Sequence, residues 1–156
     1  MQYLDYRKCV DPTAVTGELQ RLVSAEILSD SEAAAVDPVM LYRLFETELG
    51  HKLRFGNILR EFKFSVLEDG GKYAKGLDGE QVLLQGVVDC ALLEDDGITV
   101  VDFKTDCATE ASVPDIVQRY RGQVQTYADA MARIYELPVK PAYLYLFRLD
   151  RFVQII

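Results

Sequence analysis

An acid and a base stand two residues apart at the end of an apolar stretch, in the segment ITVVDFKTD at residues 98–106. Because alternate residues of a strand share a face, Asp102 and Lys104 are predicted to point the same way, with Val101 and Phe103 on the opposite side. Two neighbouring residues of this kind also form ordinary surface salt bridges. Taken alone, they leave a structural role and a chemical role open.

A second carboxylate, Asp89, interrupts the apolar run GVVDCALL. A buried, isolated carboxylate costs several kcal/mol unless it is hydrogen-bonded, paired or bound to a metal ion. The turn Asp95-Asp96-Gly97 predicts a hairpin that places Asp89 roughly opposite Asp102. Two such carboxylates repel each other, and a Mg²⁺ or Mn²⁺ ion between them would remove the conflict. A hydrogen-bonded structural Asp89 is the alternative interpretation.

Other groups are predicted to surround these two carboxylates. Lys104 is suited either to orient or deprotonate a water molecule, or to stabilise negative charge on a phosphate oxygen. The backbone carbonyl of Phe103 is a candidate metal ligand. Glu61, predicted to share a strand face with Lys63, is either a further active-site carboxylate or a solvated residue. Gly86 would let a backbone segment approach closely.

A predicted helix adds two more candidates. Gln123 and Tyr127 are spaced i, i+4, so both project from one helix face. If that face meets the hairpin, both side chains would reach a scissile phosphate or its neighbouring nucleotide. Otherwise Tyr127 is a core residue and Gln123 is its polar neighbour.

These residues must be held by secondary-structure elements. The first 50 residues are predicted to be helical, and the rest of the chain is predicted to contain both strands and a helix. Asp11-Pro12 and Asp37-Pro38 predict helix starts, and Gly50 predicts a helix end. From residue 58 the apolar period becomes two, which predicts a strand with one shared face: Ile58, Arg60, Phe62, Phe64 and Val66.

The second half of the chain predicts a long helix and one more strand. Ser112-x-x-Asp115 resembles a capping box ahead of an amphipathic helix that Leu137-Pro138 ends. The segment AYLYLF at residues 142–147 predicts a short central strand beside the hairpin. We therefore predict an α/β fold in one domain, residues 1–156, with a helical segment at 1–56 and a mixed-sheet core at 57–156.

The composition is that of an ordinary globular protein, with 49% hydrophobic and 27% charged residues. The formal net charge of −8 is unfavourable for a non-specific nucleic-acid binder. No apolar run approaches the roughly 20 residues of a membrane span, so no membrane partner is predicted. Cys9, Cys90 and Cys107 form no C-x-x-C motif, so we expect neither zinc nor an iron–sulfur cluster, and a reducing cytoplasm.

The ordered motifs resemble a known family. GVVD ending at Asp89, VDFKTD around Asp102 and Lys104, and QVQTY from Gln123 to Tyr127 resemble the RecB-like branch of the PD-(D/E)XK nucleases, and in particular the nuclease domains of the AddA family. The resemblance covers most of the chain from about residue 58 and more weakly the helices before it. It implies a restriction-endonuclease-like fold.

The resemblance also implies an activity and partners. Members hydrolyse phosphodiester bonds of single-stranded DNA with Mg²⁺, at acids that match Asp89 and Asp102 and a lysine that matches Lys104. The residues that match Glu61, Gln123 and Tyr127 belong to the same active-site region. The implied partners are the rest of an AddA helicase chain and an AddB-type protein, in double-strand-break repair.

The chain departs from the family pattern in two respects. The family has a metal-site histidine just upstream of the segment that matches MQYLDY, whereas the one histidine here is His51. No G-x-x-x-x-G-K-[ST] phosphate loop is present. We therefore expect a fragment of a larger helicase–nuclease. The alternatives are a non-catalytic docking or DNA-binding module of the same complex, and a stand-alone RecB-like exonuclease, a group that usually holds an iron–sulfur cluster with four cysteines.

Overall fold

The computed structural model describes residues 1–156, and it begins with four helices packed on one face of a sheet. Their bounds are α1 Pro12–Ser24, α2 Asp30–Ala34, α3 Pro38–Glu46 and α4 Glu48–Phe55. The predicted starts of α1 and α3 are confirmed, because Asp11 and Asp37 accept hydrogen bonds from the free N–H groups of each first turn. None of the helices in the chain is long and apolar enough to cross a membrane.

The predicted helix end at Gly50 is wrong. The third helix already ends at Glu46, and Thr47 caps α4 by accepting the Gly50 N–H. Gly50 lies inside α4, where a Cβ atom would overlap the carbonyl oxygen of Leu44. The glycine is needed for the close approach of α3 and α4, not as a terminator.

Five strands form one mixed sheet in the order β1-β2-β3-β4-β5. Their bounds are β1 Asn57–Asp69, β2 Gln81–Glu94, β3 Gly97–Lys104, β4 Tyr143–Leu146 and β5 Arg151–Gln154. Strands β3 and β4 are parallel, and all other neighbours are antiparallel. The predicted hairpin and the predicted strand beside it are confirmed. The short edge strand β5 was not predicted.

The helix α5, Val113–Tyr135, connects β3 to β4 and covers the opposite face of the sheet. It begins without the predicted capping box, because the Ser112 hydroxyl pairs with Thr109 of the preceding turn and makes no cap hydrogen bond. Pro114 fits the first turn because a backbone N–H there would have no acceptor within the helix, and proline has no N–H. The sheet thus separates two apolar cores, one under α1, α3 and α4 and one under α5.

The predicted alternation along β1 is wrong beyond Arg60. Ile58 packs against the core of the N-terminal helices, whereas Phe62, Phe64 and Val66 pack against the core under α5. The switch occurs at Glu61, whose backbone lies in the left-handed region at φ 49°. A single residue of this conformation reverses which face the following side chains meet, and periodicity alone cannot reveal it.

Candidate active site

The pairing of strands β2 and β3 ends just before the two candidate acids, Asp89 and Asp102. The last paired residues are Cys90 and Val101, so Asp89 and Asp102 are the next residues opposite each other. The Asp89 carboxylate accepts a hydrogen bond of 2.9 Å from the backbone N–H of Phe103. It therefore bridges the opening between the strands and lies beside Asp102.

Asp102 is buried, at 1% exposure, and its carboxylate lies 2.6 Å from the ammonium of Lys104. Burial raises the pKa of Asp102; the Lys104 ammonium opposes this rise, and the negative charge of Asp89 adds to it. Burial by itself would lower the pKa of Lys104, but its contact with the Asp102 carboxylate outweighs that effect and the pKa is raised. Lys104 is therefore a protonated cation at neutral pH.

One oxygen of this site has no well-directed hydrogen bond. Oδ2 of Asp102 is buried, and although Lys104 Nζ is near, the approach does not satisfy hydrogen-bond geometry. Two adjacent carboxylates with spare lone pairs match the hard oxygen ligands of a small divalent cation, which typically binds one or two carboxylates and keeps several waters. No group of three or more His, Cys, Asp or Glu side chains is gathered for a closed metal site. The residues present therefore fit an open site for a divalent cation.

Tyr120 of α5 covers Lys104, a contact that sequence reasoning missed. The Lys104 ammonium lies 4.0 Å from the centroid of the Tyr120 ring. The Tyr120 hydroxyl donates to both oxygens of Asp106, at 3.2 and 3.3 Å, and Arg119 lies 3.6 Å from the same carboxylate. The available signal was that Tyr120 precedes Gln123 by one helical turn and therefore shares its face.

Gln123 and Tyr127 contact each other farther along this face of α5. The Gln123 amide donates a hydrogen bond of 2.6 Å to the Tyr127 hydroxyl. The Tyr127 ring meets Phe64 edge-on, at 5.9 Å between centroids, above Gly86. The glycine makes room for these two rings and not for the backbone segment that was expected there. Because Gly86 precedes Asp89 by three residues, Tyr127 lies about 10 Å along β2 from that carboxylate.

Glu61 of β1 lies opposite Asp89 of β2. The pairs Arg60–Cys90 and Phe62–Val88 flank the two acids, whose own position in the ladder is unpaired. Because the face switches here, Glu61 does not belong to the regular alternation that would place it beside Lys63. Burial lowers the pKa of the Met1 amino group, and the negative charges of Glu61 and Asp89 oppose this decrease, so the start of the chain lies within reach of both charges.

Comparison with known proteins assigns the chain and its fold to a class. The sequence profile of the PD-(D/E)XK nuclease superfamily matches residues 3–154. The chain therefore belongs to that superfamily and is a nuclease domain. The match confirms the restriction-endonuclease-like fold predicted from the motifs.

The relatives within the superfamily are large helicase–nuclease proteins. The chain is 31% identical to the A subunit of an ATP-dependent helicase/nuclease from Clostridium botulinum, over 99% of its own length and 12% of that protein. It is 32% identical to the protein of the same name from Syntrophomonas wolfei, over 99% of this chain and 13% of the relative. A solved structure named SSO0001 aligns with 96% of this chain and 63% of its own, at 15% identity and a TM-score of 0.48. The predicted resemblance to the AddA family is thus confirmed, and the chain spans about one eighth of the relatives' length.

Proposed function

We propose that this domain is a Mg²⁺- or Mn²⁺-dependent deoxyribonuclease that hydrolyses phosphodiester bonds of single-stranded DNA. The observation that carries the proposal is the group at the opening of the β2–β3 hairpin, where Asp89 faces Asp102 and Lys104 is held against Asp102. A structural salt bridge would explain Lys104 and Asp102. It would not explain why a second carboxylate bridges the opened strands beside them.

The proposed metal ligands are the carboxylates of Asp89 and Asp102 and the backbone carbonyl of Phe103. Phe103 is suitably placed because its N–H is already bound by Asp89. A bound divalent cation would supply positive charge for the phosphate and a lower pKa for a nucleophilic water. The ion would also remove the repulsion between the two acids.

Lys104 is proposed to stabilise the negative charge that develops on a phosphate oxygen. The 2.6 Å contact between its ammonium and the Asp102 carboxylate favours this charged role. Asp102 and the ring of Tyr120 hold the ammonium from two sides. Glu61, Gln123 and Tyr127 are proposed to position the substrate or its attacking water at the rim of this group.

The biological setting is proposed from the names and lengths of the relatives. We propose that the domain digests DNA strands from their ends, as an exonuclease, during the processing of double-strand breaks for recombinational repair. The remainder of an AddA-type helicase chain and an AddB-type partner protein would deliver the strand. Three free cysteines suit a reducing cytoplasm, the location we propose.

The missing family histidine has a place in this arrangement. The charges of Glu61 and Asp89 act on the Met1 amino group, so a residue preceding Met1 in a longer chain would lie near these acids. We propose that a histidine there would complete the metal site. Adding such an upstream segment should then raise the affinity for Mn²⁺, measured by calorimetric titration.

The test of the function is cleavage of linear and circular single-stranded DNA with and without Mg²⁺ or Mn²⁺. We expect digestion of the linear form alone, loss of at least about 100-fold in rate for Asp102→Asn, and no loss for Asp95→Asn, an exposed acid in the turn of the same hairpin. Unchanged cleavage by Asp102→Asn would refute the site. A chain extended by the upstream segment that binds DNA but cleaves none with either ion would instead be a docking module.

A further inference from the structure

We infer that a basic cleft beside the start of β1 binds the single DNA strand on its way to Asp89 and Asp102. This inference rests on the proposed function and adds the path of the substrate. The cleft has a volume of about 680 Å³ and lies between the turn Tyr6–Lys8, the end of α4 and the first residues of β1. We call it the β1 cleft; its polar lining includes Asp5, Arg7, Arg54, Asn57 and Arg60.

The three arginines of the β1 cleft form no ion pair, unlike several other arginines of the chain. Arg21, Arg43 and Arg133 each form an ion pair with a carboxylate. None of Arg7, Arg54 and Arg60 does so, although acidic residues outnumber basic residues in this chain by 25 to 17.

The one acid in the lining does not neutralise them. Asp5 is paired with Lys8 at 3.9 Å and accepts the backbone N–H of Arg7. The Nε of Arg54 is buried without a hydrogen-bond partner, which is costly for a charged group. Unpaired guanidinium groups recognise phosphodiester oxygens through charge-assisted hydrogen bonds.

An exposed aromatic ring accompanies these cations. Phe55, which also lines the cleft, is 54% exposed, and the Arg54 guanidinium lies 5.3 Å from the centre of its ring. The His51 ring packs on it at 4.8 Å between centroids and fixes its position. A positive groove with an accessible aromatic ring is the composition of proteins that bind single strands, in which a base stacks on the ring. A duplex keeps its bases stacked inside and would not offer one to Phe55.

Along β1 the cleft ends next to the candidate active site. Arg60 is at its inner end and directly precedes Glu61, which faces Asp89. From there the cleft extends over three residues of β1 to Asn57, about 10 Å. Arg60 is itself held by the carbonyl oxygens of Met1 and Leu4, so it shapes the cleft wall. Arg7, Arg54 and Phe55 remain as the groups that would touch the DNA.

The test is the binding of a fluorescent oligodeoxythymidine in EDTA, measured by anisotropy at several salt concentrations. Phe55→Ala should weaken binding by roughly 5- to 150-fold, the usual range for one stacked base. Arg7→Gln and Arg54→Gln should each lower the slope of log Kd against log salt by about 0.7, the value for one single-strand phosphate. The matched controls Lys75→Gln and Tyr73→Ala change an unpaired cation and a 52% exposed ring in the β1–β2 loop, and both should bind like the wild type.

The outcomes separate this inference from the proposed function. If the chain cleaves single-stranded DNA but Arg7→Gln and Phe55→Ala bind normally, the β1 cleft is not the path and the function stands. If both variants lose affinity but the wild type, extended by the upstream segment, cleaves nothing with any divalent ion, the cleft stands and the function fails. Equal losses in the loop controls, or no binding by the wild type, would overturn the cleft. Arg7 and Phe55 are exposed, so these two variants decide the outcome even if Arg54→Gln unfolds.

Discussion

Glu61 faces Asp89 across the two longest strands of the sheet, at the position where their pairing is interrupted. Asp89 in turn accepts a hydrogen bond from the Phe103 N–H of β3, and its negative charge helps to raise the pKa of Asp102. These three acids come from three consecutive strands and lie where the pairing of the strands is interrupted. Asp102 is buried and Glu61 has a left-handed backbone, and each of these two costs can be tested separately.

The strain at Glu61 predicts an unusual order of stabilities. At φ 49° a Cβ atom is disfavoured by about 1–2 kcal/mol, whereas glycine is not. Glu61→Gly should therefore be more stable than Glu61→Ala by about 1 kcal/mol in urea unfolding. At the ordinary strand position Lys63 the order should reverse, with glycine less stable than alanine by about 0.5–1 kcal/mol. The same order at both positions would show that Glu61 is not strained.

Metal binding predicts a thermal shift that depends on the two facing carboxylates. A cation present at about 100 times its Kd stabilises the folded state by about 2.7 kcal/mol. For a domain of this size, that corresponds to a rise in Tm of about 5–10 °C. Asp89→Asn should abolish the shift with Mn²⁺, and Asp95→Asn should keep it. A full shift in Asp89→Asn would remove that residue from the ligand set.

Lys104 predicts a loss of turnover without a loss of DNA affinity. Replacing it by glutamine removes the charge that would stabilise the phosphate, at a cost of roughly 10²–10³ in kcat. Lys63→Gln, an exposed cation on β1, is the matched control and should retain full activity. Single-turnover cleavage at saturating DNA measures the effect. An intact kcat in Lys104→Gln would make the lysine a structural partner of Asp102 only.

We expect different effects when Tyr120 loses its hydroxyl and when it loses its ring, because the two parts make separate contacts. Tyr120→Phe keeps the ring over Lys104 and loses the bond to Asp106, so it should cost about 0.5–1.5 kcal/mol of stability and little activity. Tyr120→Leu also removes the cation–π contact, worth about 0.5–2 kcal/mol. We expect a lower kcat in Tyr120→Leu alone, measured beside Lys104→Gln. Equal kcat in both tyrosine variants would mean that the ring does not position the lysine.

We expect Glu18, which lies outside the candidate active site, to make the stability of the protein depend on pH. The Arg21 side chain and the Asp5 N–H hold the pKa of this buried carboxyl below its usual range. Its contribution is therefore present above the ordinary pKa of 4.5 and is lost as the pH falls through the lower folded value. At neutral pH, Glu18→Gln should cost roughly 1–3 kcal/mol. The stabilities of variant and wild type should converge in acid urea titrations, and a constant difference would contradict the prediction.

Much of the site was predictable because it depends on local rules. The turn Asp95-Asp96-Gly97 fixes the hairpin register, and that register alone places Asp89 opposite Asp102. Strand periodicity correctly put Asp102 and Lys104 on one face, because β3 is regular throughout. Periodicity failed on β1, where a single left-handed residue at Glu61 reverses the faces.

The sequence by itself determined the element types, the hairpin register and the family, since each follows from residues close together in the chain or from an ordered set of motifs. Only the tertiary structure decided which side chains meet from separate elements. Tyr120 lies over Lys104 because α5 crosses β3 at that point, and Arg7 and Arg54 meet beside β1 because α4 ends next to the first turn of the chain. Such contacts depend on how helices pack on the sheet, and the packing is set by the two cores as a whole.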